Sequence, residues 1–173
     1  SVAAPPVALS SPVATPSAPA APDVAASSAA YPWLATPGLE PKPTDTIRQR
    51  FAPPAGFVRT RVAAKSFAGW LRDLPLAAPE TPVRAYDGRV LHAATDSRIA
   101  GVVALDVSPA DLQQCADSVM RLHAEWLWSK GERNMSYRAA AGLALPWSRW
   151  SRGERIVPSG ANIQWVPAGK PVS

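Results

Sequence analysis

One stretch of the sequence constrains the fold more than any other, because residues 108–127 carry apolar side chains at helical spacing. Ser108 suits a helix N-cap, with Pro109 at the first helical position and Asp111 three residues after the cap. The apolar positions recur every three or four residues and form one wide face: Leu112, Cys115, Ala116, Val119, Leu122, His123, Trp126 and Leu127. The pattern predicts a long amphipathic helix that begins after Ser108 and forms the spine of the domain.

Strand signals precede this helix. Residues 99–107 form a continuous apolar run rich in β-branched side chains, which predicts a central strand buried on both faces. Residues 57–62 predict a second strand, on which Arg59 and Arg61 project from one face. These arginines would give that face a positive charge.

Shorter elements surround these segments. Ser66 can cap a short helix whose apolar residues fall at helical spacing over 67–74. The Asp87-Gly88 pair suits a tight turn and predicts a hairpin over residues 83–91. Strands on both sides of a long helix favour an α+β domain, in which a central amphipathic helix packs on a small, mostly antiparallel sheet.

The first thirty residues differ in composition from the rest of the chain. They are almost entirely Ala, Pro, Ser and Val, with Asp23 as their only charge and without an aromatic residue. Such a segment buries too little apolar surface to offset the entropy of ordering it. We therefore predict a disordered tether over residues 1–30 and a single α+β domain over residues 31–173.

The charge of the chain is basic, with 18 Lys and Arg against 13 Asp and Glu and a net charge of +5. A basic surface suits nucleic acid, anionic lipid headgroups or an acidic polymer of the cell envelope. Nucleic-acid binding is not expected, because no predicted helix is dense in Lys or Arg. An ordinary solvated surface also accounts for this balance.

Export is the localisation that the sequence favours. The chain starts at Ser1 without a methionine, and a low-complexity tether commonly follows a removed signal peptide. The sequence has no run near the ~20 apolar residues of a membrane span. The periplasm or cell surface of a bacterium is therefore the expected location, and the signal or anchor segment is expected to have been removed.

Motifs for metals and cofactors are lacking. One cysteine and two histidines without paired spacing cannot supply the four ligands of a structural zinc. The sequence also lacks a phosphate loop, a dinucleotide fingerprint and a G-x-S-x-G elbow. No metal and no cofactor are therefore expected, and Cys115 is left as the candidate reactive group.

Cys115 has two interpretations. A nucleophilic cysteine needs a helix N-terminus, a cation or an imidazole beside it, and a general base within reach. His123 lies eight residues later, about 12 Å along a helix, whereas His92 belongs to the predicted hairpin and is a candidate base. Two turns into the predicted helix, Cys115 gains little from the helix dipole. The residues alone therefore favour a buried packing role, as is common for free cysteine.

Several segments together resemble the DUF4846 family of uncharacterised bacterial proteins, many of them exported or lipid-anchored. The most specific is "DLQQCADSVMRL" followed by "AEWLW". The others are "SFAGWLRDLPL", "YDG", the predicted strand that ends at Asp106, and the later pattern W-x-x-W-x-x-G-x-R. The resemblance runs from about Tyr31 to Trp165.

The resemblance implies a papain-like fold and a cysteine hydrolase. Family members continue into strands with G-D-V-F and G-H-A-V segments, similar to NlpC/P60 peptidases and amidases that cut peptidoglycan stem peptides. On this chain the resemblance implies Cys115 as the nucleophile and Gln113 or Gln114 as an aid to holding an oxyanion. The matching histidine is absent, so the chain is expected to be an N-terminal, catalytically incomplete part of that pattern.

A binding module of the cell envelope is the alternative. In that case Trp147, Trp150 and Trp165 stack on sugars or pack a partner, while arginines such as Arg149 meet phosphate or carboxylate groups. The hydrolase predicts a reactive, partly exposed Cys115, whereas the binding module predicts a buried thiol and exposed tryptophans. Packing in the core is the ordinary role of such tryptophans, and the sequence leaves the oligomeric state open.

Overall fold

The computed structural model describes residues 28–172. The predicted tether at residues 1–30 therefore lies, apart from residues 28–30, outside the described residues and stays a prediction. Residues 28–30 are helical. The backbone oxygen of Ala30 accepts a hydrogen bond from Nε1 of Trp70 at 2.7 Å. This bond ties the described part of that segment to the core.

The described chain has an α+β fold, which confirms the predicted class. Its helices are a 3-10 helix at Pro32–Ala35, α1 at Ile47–Arg50, α2 at Phe67–Arg72, α3 at Cys115–Ser129 and α4 at Trp147–Ser151. Its strands are β1 at Pro43–Thr46, β2 at Pro75–Ala77, β3 at Val83–Arg84, β4 at Val90–His92, β5 at Ser136–Arg138, β6 at Ala144–Pro146, β7 at Glu154–Ser159 and β8 at Asn162–Pro167.

All strand pairing in residues 28–172 is antiparallel, but the strands form four separate pairs and not one sheet. Each pair joins a strand to the next in the chain: β1 with β2, β3 with β4, β5 with β6, and β7 with β8. The pair of β7 and β8 has the most extensive register, from Glu154 opposite Pro167 to Ser159 opposite Asn162. The papain-like arrangement implied by the resemblance stays a prediction.

The core is a cluster of aromatic and aliphatic side chains beneath the 3-10 helix. The buried members of the cluster are Tyr31, Trp33, Leu39, Trp70, Leu74 and Leu105. Tyr31 and Trp70 lie with ring centroids 4.9 Å apart, and Trp33 lies 5.8 Å from Trp70. Nε1 of Trp33 donates to the backbone oxygen of Ala104 at 2.8 Å, so the buried indole keeps a polar partner.

The predicted cap at Ser66 is confirmed. Its side-chain oxygen accepts a hydrogen bond from the backbone N–H of Gly69 at 3.1 Å and starts α2. A Cβ atom at Gly69 would lie 2.6 Å from the backbone oxygen of Ala63, so the close approach of these two segments requires glycine. The helix presents Trp70 to the core, as its apolar spacing predicts.

The predicted hairpin over residues 83–91 is also confirmed, with β3 and β4 as its strands. Gly88 has a φ of +83°, which the Asp87-Gly88 turn needs. The Asp87 carboxylate accepts a hydrogen bond from the backbone N–H of Arg89 at 3.0 Å. Local turn chemistry is therefore enough to place this element.

The strand predicted at residues 57–62 is wrong. This segment is irregular, and Phe57 and Val58 are 72% and 90% exposed. Within residues 28–172 no strand lies beside it, so its β-branched side chains have no pleated surface to pack against. Arg59 instead donates a hydrogen bond to the backbone oxygen of Phe51, and this bond holds the irregular segment.

The central strand predicted at residues 99–107 is wrong as well. The segment makes one isolated antiparallel bridge, between Val103 and Leu76 of β2. Ala104 and Leu105 are nevertheless buried. β2 has only three residues, and one of its edges already pairs with β1. The edge that remains is too short for a regular ladder of backbone hydrogen bonds with residues 99–107, so their apolar side chains are buried without forming a strand.

The long helix begins six residues later than predicted. Ser108 has a φ of +66°, whereas an N-cap residue needs an extended backbone. Its backbone N–H donates to the Asp106 carboxylate at 3.0 Å, so these residues form a turn. The helix α3 starts at Cys115, after Gln114 as its N-cap. Cys115 therefore lies at the first helical position.

Candidate functional site

Two hydrogen bonds between Gln114 and polar side chains of the first turn stabilise the start of α3. The backbone N–H of Gln114 donates to Oδ2 of Asp117 at 3.2 Å, and the backbone oxygen of Gln114 accepts from the Ser118 hydroxyl at 2.7 Å. The Asp117 carboxylate lies in the first turn, where the positive end of the helix dipole favours an anion. These contacts fix the backbone on both sides of Cys115.

The thiol of Cys115 is exposed. The expectation that it packs in the core is therefore wrong, because the part of the predicted apolar face before Leu122 does not reach the core. Leu112 is 72% exposed and Val119 63% exposed. Farther along the helix, Trp126 packs on Phe67 of α2, with ring centroids 5.4 Å apart. The helix thus docks by its later turns and presents its first turn to solvent.

A groove of about 640 Å³ lies beside the start of α3. Gln113 and Ser118, which flank Cys115 in the sequence, line it together with Asp106. Nη1 of Arg121 donates to Oε1 of Gln113 at 2.6 Å and to the backbone oxygen of Asp106. Cys115 is not among the lining residues. The geometry therefore places the thiol near a groove and not inside one.

The two histidines are bonded to other partners. Nδ1 of His92 lies 3.0 Å from Oδ2 of Asp96. Hydrogen bonds from Arg98, and a weaker one from His92, hold the pKa of the Asp96 carboxyl far below its usual range, so it stays ionised. Within residues 28–172 neither histidine is hydrogen-bonded to Cys115. The role of His92 as a base stays a prediction.

His123 lies on α3 at its packed end. Its Nδ1 lies 3.1 Å from the hydroxyl oxygen of Tyr137, and its ring meets Phe67 edge to face at 5.4 Å. Partial burial raises the pKa of Tyr137, which keeps its hydroxyl protonated and available as a hydrogen-bond donor. His123 therefore contributes to the packing of α3 against β5.

The predicted ligand-binding tryptophans have different surroundings. Trp147 is half-buried and meets Trp128 edge to face, with ring centroids 5.4 Å apart. Trp150 is 42% exposed, and the guanidinium of Arg155 lies 4.0 Å from its ring centroid. Trp147 thus acts in packing, and Trp150 offers more of its surface to a ligand.

Arg149 joins an ion pair and a cation–π contact. Its guanidinium binds the Glu154 carboxylate, with Nε to Oε2 at 2.8 Å, and lies 4.9 Å from the ring centroid of Trp165. The bond from Arg149 lowers the pKa of Glu154, with Arg152 adding to the effect. This ion pair already uses some of the hydrogen-bond donors of the Arg149 guanidinium. The role of Arg149 in ligand binding stays a prediction.

A second cleft, of about 800 Å³, was not foreseen from the sequence. Its lining includes Trp70, Trp126, Lys65, Lys130 and Arg48. These residues come from α1, the segment before α2, α2 itself and the end of α3. They carry no shared spacing, so only the packing of these elements brings them together.

Neither a metal-binding cluster nor a membrane-spanning helix is found in the described part of the chain. Residues 28–172 contain no group of three or more His, Cys, Asp or Glu side chains placed to hold a metal ion. Over the same residues, each helix is too short or too polar to cross a membrane.

Comparison with known proteins gives one match. The model of the DUF4846 family, which is described as a domain of unknown function, matches residues 47–173. No curated protein and no solved structure matches the chain. The matched region covers α1 to β8 and includes the thiol and most of the residues that line the two clefts. The chain belongs to the DUF4846 family.

Proposed function

We propose that this chain carries the nucleophile of a cysteine-dependent hydrolase that cleaves peptidoglycan-type amide bonds. The observation that supports the proposal most is the position of Cys115, which is exposed and is the first residue of the longest helix described. Of the two hypotheses drawn from the sequence, the hydrolase expects an exposed thiol and the binding module a buried one.

The first turn of a helix suits this chemistry. Its backbone N–H groups have no partner inside the helix and can donate to the oxyanion that forms when a thiolate attacks a carbonyl carbon. The attack forms a thioester and releases the amine, which takes a proton, and water then hydrolyses the thioester. Gln114 precedes the thiol directly and is the proposed aid to the oxyanion, and the groove beside Gln113 is the proposed substrate site.

The hydrolase also requires a general base. In the described residues His92 is bonded to Asp96 and His123 to Tyr137, and neither is hydrogen-bonded to the thiol. Thiol reactivity and substrate protection therefore test the nucleophile more directly than turnover does.

The test is protection of Cys115 from iodoacetamide by purified peptidoglycan stem peptides, followed by mass spectrometry of the folded chain. A bound stem peptide beside the thiol slows its alkylation. A poly-L-alanine peptide of equal length is the control and should leave the rate unchanged. Equal rates with stem peptide, control peptide and buffer would count against a peptidoglycan substrate.

A binding module without catalysis is the second candidate. Trp150 supports it, because the side chain is 42% exposed with the Arg155 guanidinium over its ring. Co-sedimentation with peptidoglycan sacculi tests the module. Loss of sedimentation in Trp150→Ala, with normal sedimentation in Cys115→Ala, favours the module, whereas normal sedimentation in both variants counts against a binding role of Trp150.

Export to the bacterial periplasm or surface is part of the same proposal. It is supported by the Ala, Pro and Ser-rich composition of the first thirty residues and by the substrate proposed. Fractionation of cells that express the native gene tests it, since the protein should separate with envelope markers. Recovery with cytoplasmic markers alone would contradict export.

A further inference from the structure

Three aromatic side chains line the cleft of about 800 Å³, those of Tyr31, Trp70 and Trp126, and they are called its floor below. Trp70 is 7% exposed, and its indole N–H is already bonded to the backbone oxygen of Ala30. Tyr31 donates its hydroxyl proton to the backbone oxygen of Trp70 at 2.8 Å. Burial, together with the nearby Asp73 carboxylate, raises the pKa of Tyr31, so this donor stays protonated. The floor is therefore mainly apolar, and the polar groups of Tyr31 and Trp70 are already paired within the protein.

The rim of the cleft is positively charged. Arg48 and Asp73 form a two-pronged ion pair, with N to O distances of 2.7 and 2.9 Å, and largely neutralise each other. Lys65 and Lys130 also line the cleft and are exposed. Within residues 28–172 no carboxylate pairs with either lysine, so two positive charges face the opening.

One lysine is held in place by the floor. Nζ of Lys130 lies 4.4 Å from the ring centroid of Trp126, close enough for a cation–π contact. The Ser129 hydroxyl, which also lines the cleft, donates to the backbone oxygen of Trp126 at 2.8 Å. The end of α3 therefore presents an ordered cation beside an aromatic ring.

We propose that this cleft binds an anionic saccharide, with its ring body on the aromatic floor and its carboxylate or phosphate between Lys65 and Lys130. A volume of about 800 Å³ exceeds what an inorganic ion needs and falls in the range of small-molecule sites. The apolar floor favours a ligand with a carbon body, and the unpaired lysines favour an anion. The site is separate from Cys115 and does not depend on the proposed hydrolase.

Isothermal titration calorimetry of the full chain at low salt tests the site with four probes. Trigalacturonate supplies carboxylates and glucose 6-phosphate supplies a phosphate, so these two arms distinguish the sources of the anion. Maltotriose is a neutral saccharide, and inorganic phosphate is a charge without a ring. At least one anionic saccharide should bind about tenfold more tightly than both of these controls.

The chain offers a matched pair of charge variants. Lys65→Ala with Lys130→Ala removes both rim charges and should weaken binding about tenfold or more. Lys42→Ala with Lys170→Ala removes the same net charge from exposed lysines outside the cleft and should leave the affinity unchanged. Since all four lysines are exposed, both double variants should fold, as circular dichroism can verify.

Three results would contradict the proposed saccharide site. The first is that neither anionic saccharide binds at concentrations up to about 10 mM. The second is that maltotriose binds as tightly as the anionic saccharides. The third is that Lys42→Ala with Lys170→Ala weakens binding as much as the cleft variant, which would show general electrostatic attraction. Cys115→Ser should bind the saccharide normally. If the saccharide site is disproved, the proposal that Cys115 is a nucleophile is therefore unaffected.

Discussion

The backbone N–H of Gln114 donates a hydrogen bond to the carboxylate of Asp117, with 3.2 Å between nitrogen and oxygen. The bond satisfies one backbone group that the helix start would otherwise leave without a partner. It also makes Cys115 the first residue of α3 and not a residue two turns inside it. The position of the thiol therefore depends on a side chain two residues away.

Asp117→Ala should shorten or fray the start of α3. The loss of an N-terminal cap contact costs about 0.5–2 kcal/mol of unfolding free energy, and the loss of a carboxylate near the helix dipole adds to it. Urea unfolding followed by circular dichroism measures the change. Asp111→Ala removes an equal charge from the exposed segment before the helix and should stay within about 0.5 kcal/mol of the parent chain.

Glu125 should make stability depend on pH. Burial raises its pKa above the usual 4.5 despite the partly opposing Arg121, whose Nε lies 3.7 Å from the Glu125 carboxylate. The folded state thus holds the proton more tightly, so the contribution of Glu125 is present below pH 4.5 and is lost as pH rises through the folded pKa.

Glu125→Gln removes this titration. The variant should gain stability relative to the parent chain as pH rises from about 4 to about 7. Urea unfolding of both proteins at these two pH values measures the difference. A relative stability that is the same at both, or that falls with pH, would show that the Arg121 ion pair outweighs burial.

Gly153 occupies a backbone position that other residues adopt poorly. Its φ is +91°, and an added Cβ atom would clash with the backbone oxygen of Gly169. Gly142 has a φ of +83° but has open space where its Cβ would lie. Both changes to alanine should cost about 1–2 kcal/mol of backbone strain, and Gly153→Ala about 1–3 kcal/mol more. Equal melting temperatures for the two variants would argue against the close contact at Gly153.

His92→Ala should leave the alkylation rate of Cys115 unchanged. The imidazole is bonded to Asp96, and within residues 28–172 it makes no hydrogen bond to the thiol. Rates of iodoacetamide labelling for the variant and parent, at equal pH and with matching circular dichroism, provide the comparison. A rate that falls several-fold would instead establish His92 as a partner of the thiol.

Elements with local signals could be predicted from the sequence, and elements that depend on distant partners could not. The Ser66 cap and the Asp87-Gly88 turn each act within a few residues, and both lie where their chemistry indicates. The apolar run at residues 99–107 has the composition of a strand, but the short β2 leaves it one bridge. Ser108 is a residue type that often caps helices, but the hydrogen bond from its backbone N–H to Asp106 places it in a turn.

The candidate sites divide in the same way. Cys115 could be found because it is the only thiol, although its exposure followed from the later start of α3. The cleft with Lys65 and Lys130 could not be found, because its residues meet only when the end of α3 packs beside α2. Single residues with rare chemistry are visible in a sequence, whereas surfaces assembled from several segments are not.

The most direct measurement is the rate of Cys115 alkylation by iodoacetamide at pH 6, in the native chain and in the chain unfolded by urea. Cys115 is exposed at the first position of α3, where unpaired backbone N–H groups favour negative charge on an attacking sulfur, so native labelling should be about tenfold faster or more. Cys115→Ser serves as the blank, since Cys115 is the only cysteine. A native rate equal to or below the unfolded rate would contradict the proposed nucleophile.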